Sequence, residues 1–105
     1  MATDAAGYSF SAELWRWDGD AAWHFVSVPE PVADAIADLA DGGAMPRRGF
    51  GSVRVEVTVG GSRWRTSLFP DKGRGTYLLP VKAAVRRAER LDAGDAVEVA
   101  LELLD

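Results

Sequence analysis

The chain has 105 residues, of which 48% are hydrophobic and 27% are charged, the balance of one folded domain spanning residues 1–105. It holds no cysteine, which excludes disulfides, thiolate metal sites and a cysteine nucleophile. The N-terminal residues do not show the basic segment followed by an apolar segment that is typical of a signal peptide. No apolar run approaches the roughly 18 residues of a membrane-spanning helix. We therefore expect a cytoplasmic protein with no membrane partner.

The net charge of −4 is distributed unevenly along the chain. Residues 1–46 carry one basic and eight acidic residues, residues 47–90 carry eleven basic and three acidic ones, and residues 91–105 carry five acidic ones only. These segments either neutralise one another in the fold or leave a basic face that attracts an anion or a nucleic acid. The acidic balance disfavours nonspecific DNA binding, because that binding depends on neutralising phosphates.

The N-terminal part of the chain predicts a β-hairpin followed by a helix. Residues 8–17 alternate apolar and polar side chains, a DGD turn follows, and residues 21–29 return as a second strand. Residues 30–43 follow the helical period, and the glycine pair that closes this segment is a stop signal.

The rest of the chain predicts four more strands and a second helix. In chain order these are a strand at 53–59, a strand at 62–69, a turn at 70–75, a strand at 76–80, a helix and turn at 81–95 and a strand at 96–104. The order β-β-α-β-β-β-α-β does not fit an alternating parallel α/β fold. It favours a mainly β fold, a closed or nearly closed six-stranded barrel capped by two short helices, because closure leaves no exposed edges. The residues expected inside include Val53, Val55, Val97 and Val99.

The segments WHFVSVP, RGFGSVRVEVTVGGSRWRTSLFP and GTYLLPVKAAVRRAERLDAGDAVEVALEL resemble the domain-of-unknown-function family 1905 over about residues 7–104. The resemblance implies a small β-barrel of the double-split type, and it implies no particular activity. Members of that family occur alone or joined to a second helical domain similar to bacteriocin-protection proteins. We expect this chain, which ends at Asp105, to hold the barrel alone.

The segment LPVKAAVRRAERLDAGDAVEV is also similar to AbrB-type transition-state regulators and related antitoxins, many of which bind DNA as swapped-hairpin dimers. Those proteins build one barrel from two short chains, whereas this chain has enough strands to close a barrel alone. We therefore expect a monomer or a weak homodimer. The shared turn has a local explanation, because Gly94 can adopt a positive φ and the Asp95 carboxylate can accept backbone N–H groups.

The leading interpretation is a noncatalytic module that binds a small ligand or a protein partner. Trp15 and Trp17 should point away from the core, where they either form a patch for a partner or are covered by a helix. The basic loop PRRGFG either binds an anion or ring, or inserts its phenylalanine into the barrel end. The proposed surface consists of Trp15, Trp17, Arg47, Arg48, Phe50, Arg63 and Arg65. Glu56 is the expected partner of the arginines on the neighbouring strand.

Two other functions remain open. The first is an AbrB-like DNA-binding regulator that uses Lys72, Arg74, Arg86, Arg87 and Arg90. The second is a small enzyme, although no nucleophile or acid/base pair can be named. The PDKGRG loop precedes a strand rather than a helix, which favours a chain reversal over a phosphate loop. His24, the single histidine, is interpreted as a structural residue, and neither a metal site nor a cofactor is predicted.

Overall fold

A computed structural model of the protein describes residues 7–18, 23–41, 51–71 and 73–104. The elements are β1 (Gly7–Arg16), β2 (His24–Ser27), α1 (Glu30–Asp41), β3 (Val53–Val59), β4 (Ser62–Asp71), β5 (Thr76–Pro80), α2 (Ala83–Glu89) and β6 (Ala96–Leu103). Their order is the one that the sequence predicts. Within the described residues, neither helix is long and apolar enough to cross a bilayer.

The six strands form a closed barrel in the order β1-β2-β5-β4-β3-β6, and every neighbouring pair is antiparallel. β6 closes the cylinder because it pairs with β1 along one edge and with β3 along the other. One chain therefore supplies the whole barrel, as expected from the number of its strands. The predicted fold class, a mainly β closed barrel with two short helices, is confirmed.

Every second residue of a strand faces the core, because successive side chains of a β-strand point to opposite faces of the sheet. β3 and β6 show the pattern most clearly, with Val55 fully buried and Val97 and Val99 at most 3% exposed. Each helix adds apolar side chains to the same cluster, among them Ile36 from α1 and Val85 from α2. The predicted inward-facing residues are therefore confirmed.

β4 is longer than the sequence pattern indicates. Pro70 and Asp71 continue the strand because they pair with Tyr77 and Thr76 of β5. The chain reverses only after them, and Gly75 has the positive φ of +70° that this reversal requires. The interpretation of this segment as a chain reversal is thus confirmed, with the turn starting later than predicted.

The second helix starts later than predicted. The sequence predicts the helix from residue 81, directly after Pro80, which is the last residue of β5 and pairs with Phe25. Lys82 is the N-cap, and α2 runs only from Ala83 to Glu89. The residue before a proline is held extended, so Leu79 and Pro80 continue the strand rather than begin a helix.

The turn between α2 and β6 has the predicted geometry. Gly94 has φ of +99°, and the Asp95 carboxylate accepts a 2.8 Å hydrogen bond from the backbone N–H of Asp92. The same turn is bonded to β1, because the Gly94 N–H donates to the Leu14 carbonyl and the Leu14 N–H donates to the Asp95 carbonyl. These bonds fix the start of β6 against the barrel wall.

Candidate binding surface

An aromatic cluster covers the outer wall of β1 and β2. It consists of Trp15, Trp17, Trp23 and Phe25. Because Leu14 and Val26 are fully buried, their strand neighbours Trp15 and Phe25 must face outward, where they occupy opposed positions of the β1–β2 ladder. The alternation of the two strands therefore builds the cluster.

The rings of the cluster are in mutual contact. The Phe25 ring is the hub, with its centroid 5.3 Å from Trp15, 5.7 Å from Trp17 and 5.9 Å from Trp23. Trp23 stacks on Phe25 at an interplanar angle of 11°, whereas Trp17 meets Phe25 edge-on at 69°. Such pairs contribute about 0.5–1.5 kcal/mol beyond their buried area, so the cluster is preorganised.

Two polar contacts hold the cluster in place. The Trp15 indole N–H donates a 3.0 Å hydrogen bond to the Ser27 hydroxyl on β2. The backbone N–H of Trp17 donates to the carbonyl of Trp23 at 2.9 Å, which extends the strand pairing beyond β2. Trp15 is therefore anchored at both its ring and its indole nitrogen, while Trp17 and Trp23 stay closer to solvent.

Arg74 lies over the cluster from the β4–β5 turn. Its guanidinium carbon is 4.2 Å from the Trp15 ring centroid and 5.8 Å from that of Trp17. Its Nη1 also contacts the Asp71 carboxylate at 3.0 Å, and its backbone N–H donates to the same group. Partial desolvation opposes ionisation of Asp71, but these bonds outweigh it and hold the pKa of that carboxyl below its ordinary value of 3.8.

A groove of about 500 Å³ lies beside the cluster. Its lining, which we call the aromatic groove, consists of Trp17, Trp23, Phe25, Phe69, Pro70, Asp71 and Leu78. Trp17, Trp23 and Phe69 are 40%, 51% and 48% exposed. Large apolar side chains this open to water, grouped on one groove, mark an interaction surface more often than isolated exposed residues do.

Two arginines of the proposed surface, Arg63 and Arg65, lie on β4. Arg63 and Arg65 both pair with Glu56 on the adjacent strand, at 3.2 and 3.3 Å. This confirms Glu56 as their partner, and neither arginine lines the aromatic groove. Arg47, Arg48 and Phe50 lie outside the described residues. The structure thus brings Trp15 and Trp17 together, whereas Arg63 and Arg65 contact Glu56.

The residues of the DNA-binding alternative are distributed over a turn and a helix. Arg74 contacts Asp71 and the indoles, as described above. On α2, the Nε of Arg86 donates a 3.2 Å hydrogen bond to the Val81 carbonyl, Arg87 is exposed, and Arg90 forms the C-cap in the left-handed conformation. Lys72 lies outside the described residues. These side chains do not form one continuous set of contacts in the described part of the chain.

His24 lies at the start of β2, where its carbonyl accepts the N–H of Val81. Its Nδ1 is buried and has no hydrogen-bond partner within the described residues. The structural role predicted for this histidine stays a prediction. Among the described residues, no group of three or more His, Asp or Glu side chains is close enough to hold a metal ion.

Sequence reasoning missed several residues of the groove. Trp23 and Phe25 carried a usable signal, since they alternate with the inward-facing Val26 and so share the outer face. Phe69 carried the same signal next to the buried Leu68. Arg74, which lies over the cluster, carried no such signal, because its contact with Trp15 depends on the pairing of β5 with β2.

The fold and this surface define a class: a small self-closed antiparallel barrel with a preorganised aromatic face. The sequence model of the family described as Domain of unknown function (DUF1905) matches residues 10–101, nearly the whole chain. The chain therefore belongs to that family, as the sequence motifs indicate. A search of the curated proteins found no match.

Proposed function

We propose that the protein is a noncatalytic binding module that holds a small ligand or a segment of a protein partner in the aromatic groove. One observation carries this proposal: Trp17, Trp23 and Phe69 are about half exposed and border a single groove of about 500 Å³. A groove of that size lies in the range of small-molecule sites, about 300–1,000 Å³.

The chemistry of the groove indicates what it would hold. Among the described residues, its walls are indole, phenyl, proline and leucine side chains, with one ionised group, Asp71, which Arg74 neutralises. An uncharged ring or aliphatic group matches these walls best, since a charged group would lose hydration without gaining a free partner there. The rings are held by each other and by Ser27, so binding orders few side chains.

The DNA-binding regulator remains the alternative proposal, with the small enzyme ranked after it. The geometry supports the regulator less, because Arg74 is turned toward Asp71 and Trp15 and the chain is acidic overall. A mobility shift that weakens steeply with salt would support DNA binding, and no shift at low salt would remove it. We also propose a cytoplasmic location, which the lack of cysteine favours.

A metabolite and fragment screen tests the binding module. Hits are scored by thermal stabilisation and by changes in tryptophan emission, because two of the groove's walls are indoles. We expect hits to be uncharged and ring-containing, and to lose at least about tenfold in affinity in Trp17→Ala, whose indole is removed. Trp17→Phe keeps a ring and should retain most of the affinity.

The matched control is Glu98→Ala on the outer face of β6, a strand that contributes nothing to the groove. This variant should bind every hit as the unchanged protein does. A screen without hits, or hits whose affinity is equal in Trp17→Ala and Glu98→Ala, would contradict the proposal.

A further inference from the structure

A second cavity lies where β5 ends. β5 lies between β2 and β4 and ends at Pro80, which pairs with Phe25. β4 begins at Ser62, so its first residues, before Phe69, have no partner on β5. The chain then leaves the sheet and begins α2, so a gap of about 350 Å³ stays open between β2, β4 and the helix. Its lining, which we call the basic pocket, consists of Trp23, His24, Trp64, Arg65, Thr66, Pro80, Val81, Lys82, Ala83 and Arg86.

The basic pocket carries an excess of positive charge. Among the described residues, Arg65, Lys82 and Arg86 line it, whereas no aspartate or glutamate does. Arg65 pairs with Glu56, but Glu56 also pairs with Arg63, so two positive charges share one negative charge. Lys82 has no ion pair within the described residues. An anion entering the pocket would therefore meet the charge of Lys82 and the partly neutralised charge of Arg65.

The arginines of the pocket are oriented by bonds from Nε. Arg65 uses its Nε for Glu56, and Arg86 uses its Nε for the Val81 carbonyl. The Arg65 guanidinium, whose Nε is bonded to Glu56, is restricted in rotation, and its terminal N–H donors lie in one plane that matches carboxylate and phosphate oxygens. The bond to Val81 also fixes Arg86 against the segment that leads from β5 into α2.

The pocket also has aromatic walls. Trp23 is half exposed and stacks on Phe25, which restricts its ring, and Trp64 packs partly against the core. Two indoles beside cationic side chains suit a flat ring that carries negative charge, since the ring gains apolar contact while its charged group reaches the cations.

We propose that the basic pocket binds a small planar anion, an aromatic ring bearing a carboxylate or a phosphate. The site is distinct from the aromatic groove, with Trp23 as the one residue that the two share in the described part of the chain. It does not depend on the groove binding anything, because its charge comes from residues outside the groove.

Calorimetric titration with defined probes tests this site. The probes are naphthoate and naphthyl phosphate, the uncharged naphthamide, and inorganic phosphate, which has the charge without the ring. We expect at least one of the two ring anions to bind at least about tenfold more tightly than both naphthamide and inorganic phosphate, and the tighter of the two identifies the headgroup. Because naphthamide is also an uncharged ring that fits the aromatic groove, the four probes are compared in Trp17→Ala, in which groove binding is weakened. In that variant, binding of naphthamide or inorganic phosphate as tight as that of the ring anions, or binding by none of the probes, would overturn the proposal.

Variants locate the binding. Lys82→Ala and Arg65→Ala each remove one exposed cation of the pocket and should weaken the affinity for the ring anion by about three- to tenfold. Arg87→Ala removes the same charge from an exposed position of α2 that does not line the pocket, and it should change affinity less than about twofold. Equal losses in all three variants would mean that net charge alone attracts the probe, and the pocket would be rejected. Trp17→Ala should leave this binding unchanged, which separates it from the groove.

Discussion

Arg74 lies above Trp15, with its guanidinium carbon 4.2 Å from the ring centroid, while its Nη1 contacts Asp71 at 3.0 Å. The β4–β5 turn is thereby joined to the outer wall of β1. Both contacts need the planar guanidinium, which stacks on an indole through its face and meets a carboxylate through its edge.

Arg74→Ala should therefore destabilise the protein by about 0.5–1.5 kcal/mol, because a half-exposed cation–π contact and an exposed ion pair are lost together. Arg74→Lys keeps the charge but loses the planar stacking, so it should recover only part of that free energy. Urea denaturation followed by tryptophan emission measures both variants. Full recovery of stability in Arg74→Lys would show that the charge matters and the stacking does not.

Asp71→Asn tests the other end of that contact through its pH dependence. The folded-state pKa of Asp71 lies below its ordinary value of 3.8, so the ionised carboxylate favours the folded state. The stabilisation is complete above that value and is lost as the pH falls through the folded-state pKa. Melting temperatures of the variant should be slightly lower at neutral pH and should converge with those of the unchanged protein in strong acid. A difference that grows toward low pH would contradict this assignment.

Leu68 and Phe69 are consecutive residues of β4 that face opposite sides of the barrel. Leu68 is fully buried, whereas Phe69 is half exposed on the groove. Leu68→Ala should cost about 2–5 kcal/mol, because it removes core contacts and leaves a cavity. Phe69→Ala should cost about 1 kcal/mol or less. Chemical denaturation measures the free energy of unfolding of both variants. Similar losses of stability in the two variants would mean that β4 has a different register.

The opposite orientations of Leu68 and Phe69 were predictable from the sequence, and so was the burial of Val55 and Val97. A period of two assigns each side chain to a face as soon as one face is known to be buried. The turn at Gly94 was predictable for a similarly local reason, since a positive φ favours glycine.

The pairing of distant strands was not predictable in the same way. Nothing in the local pattern says that β2 pairs with β5, and the contact of Arg74 with Trp15 depends on that pairing. The grouping of the arginines with the tryptophans on one surface stays a prediction for the same reason. Arg63 and Arg65 face outward as predicted, but they lie beside Glu56 rather than on the aromatic groove.

Glu89 connects the end of α2 to the β3–β4 hairpin, because its Oε2 accepts a 2.7 Å hydrogen bond from the Ser62 hydroxyl. Ser62→Ala and Glu89→Ala each remove the bond and should each cost about 0.5–1.5 kcal/mol. Since both act on one bond, the double variant should cost less than the sum of the single ones. Additive losses in a denaturation cycle would show that the two side chains stabilise the fold separately.

The hairpin turn offers a matched pair of glycines. Gly60 has φ of +57°, and a Cβ placed on it would collide with the Glu89 carboxylate, whereas a Cβ on Gly61 would lie 3.9 Å from the nearest carboxylate oxygen. Gly60→Ala should destabilise the protein by about 1–2 kcal/mol, because the left-handed conformation is strained for alanine. Gly61→Ala should be close to neutral by thermal denaturation. The reverse order would contradict the turn geometry.

The most direct test of the binding surface is a nitrogen–hydrogen correlation spectrum of the indole N–H groups, assigned by single Trp→Phe variants. The chain has four tryptophans, and each responds to a different environment. On addition of an uncharged ring compound that stabilises the protein, we predict that the Trp17 and Trp23 signals move while the Trp64 signal stays in place. A compound that binds and leaves the Trp17 and Trp23 signals unmoved would contradict a binding role for the aromatic groove.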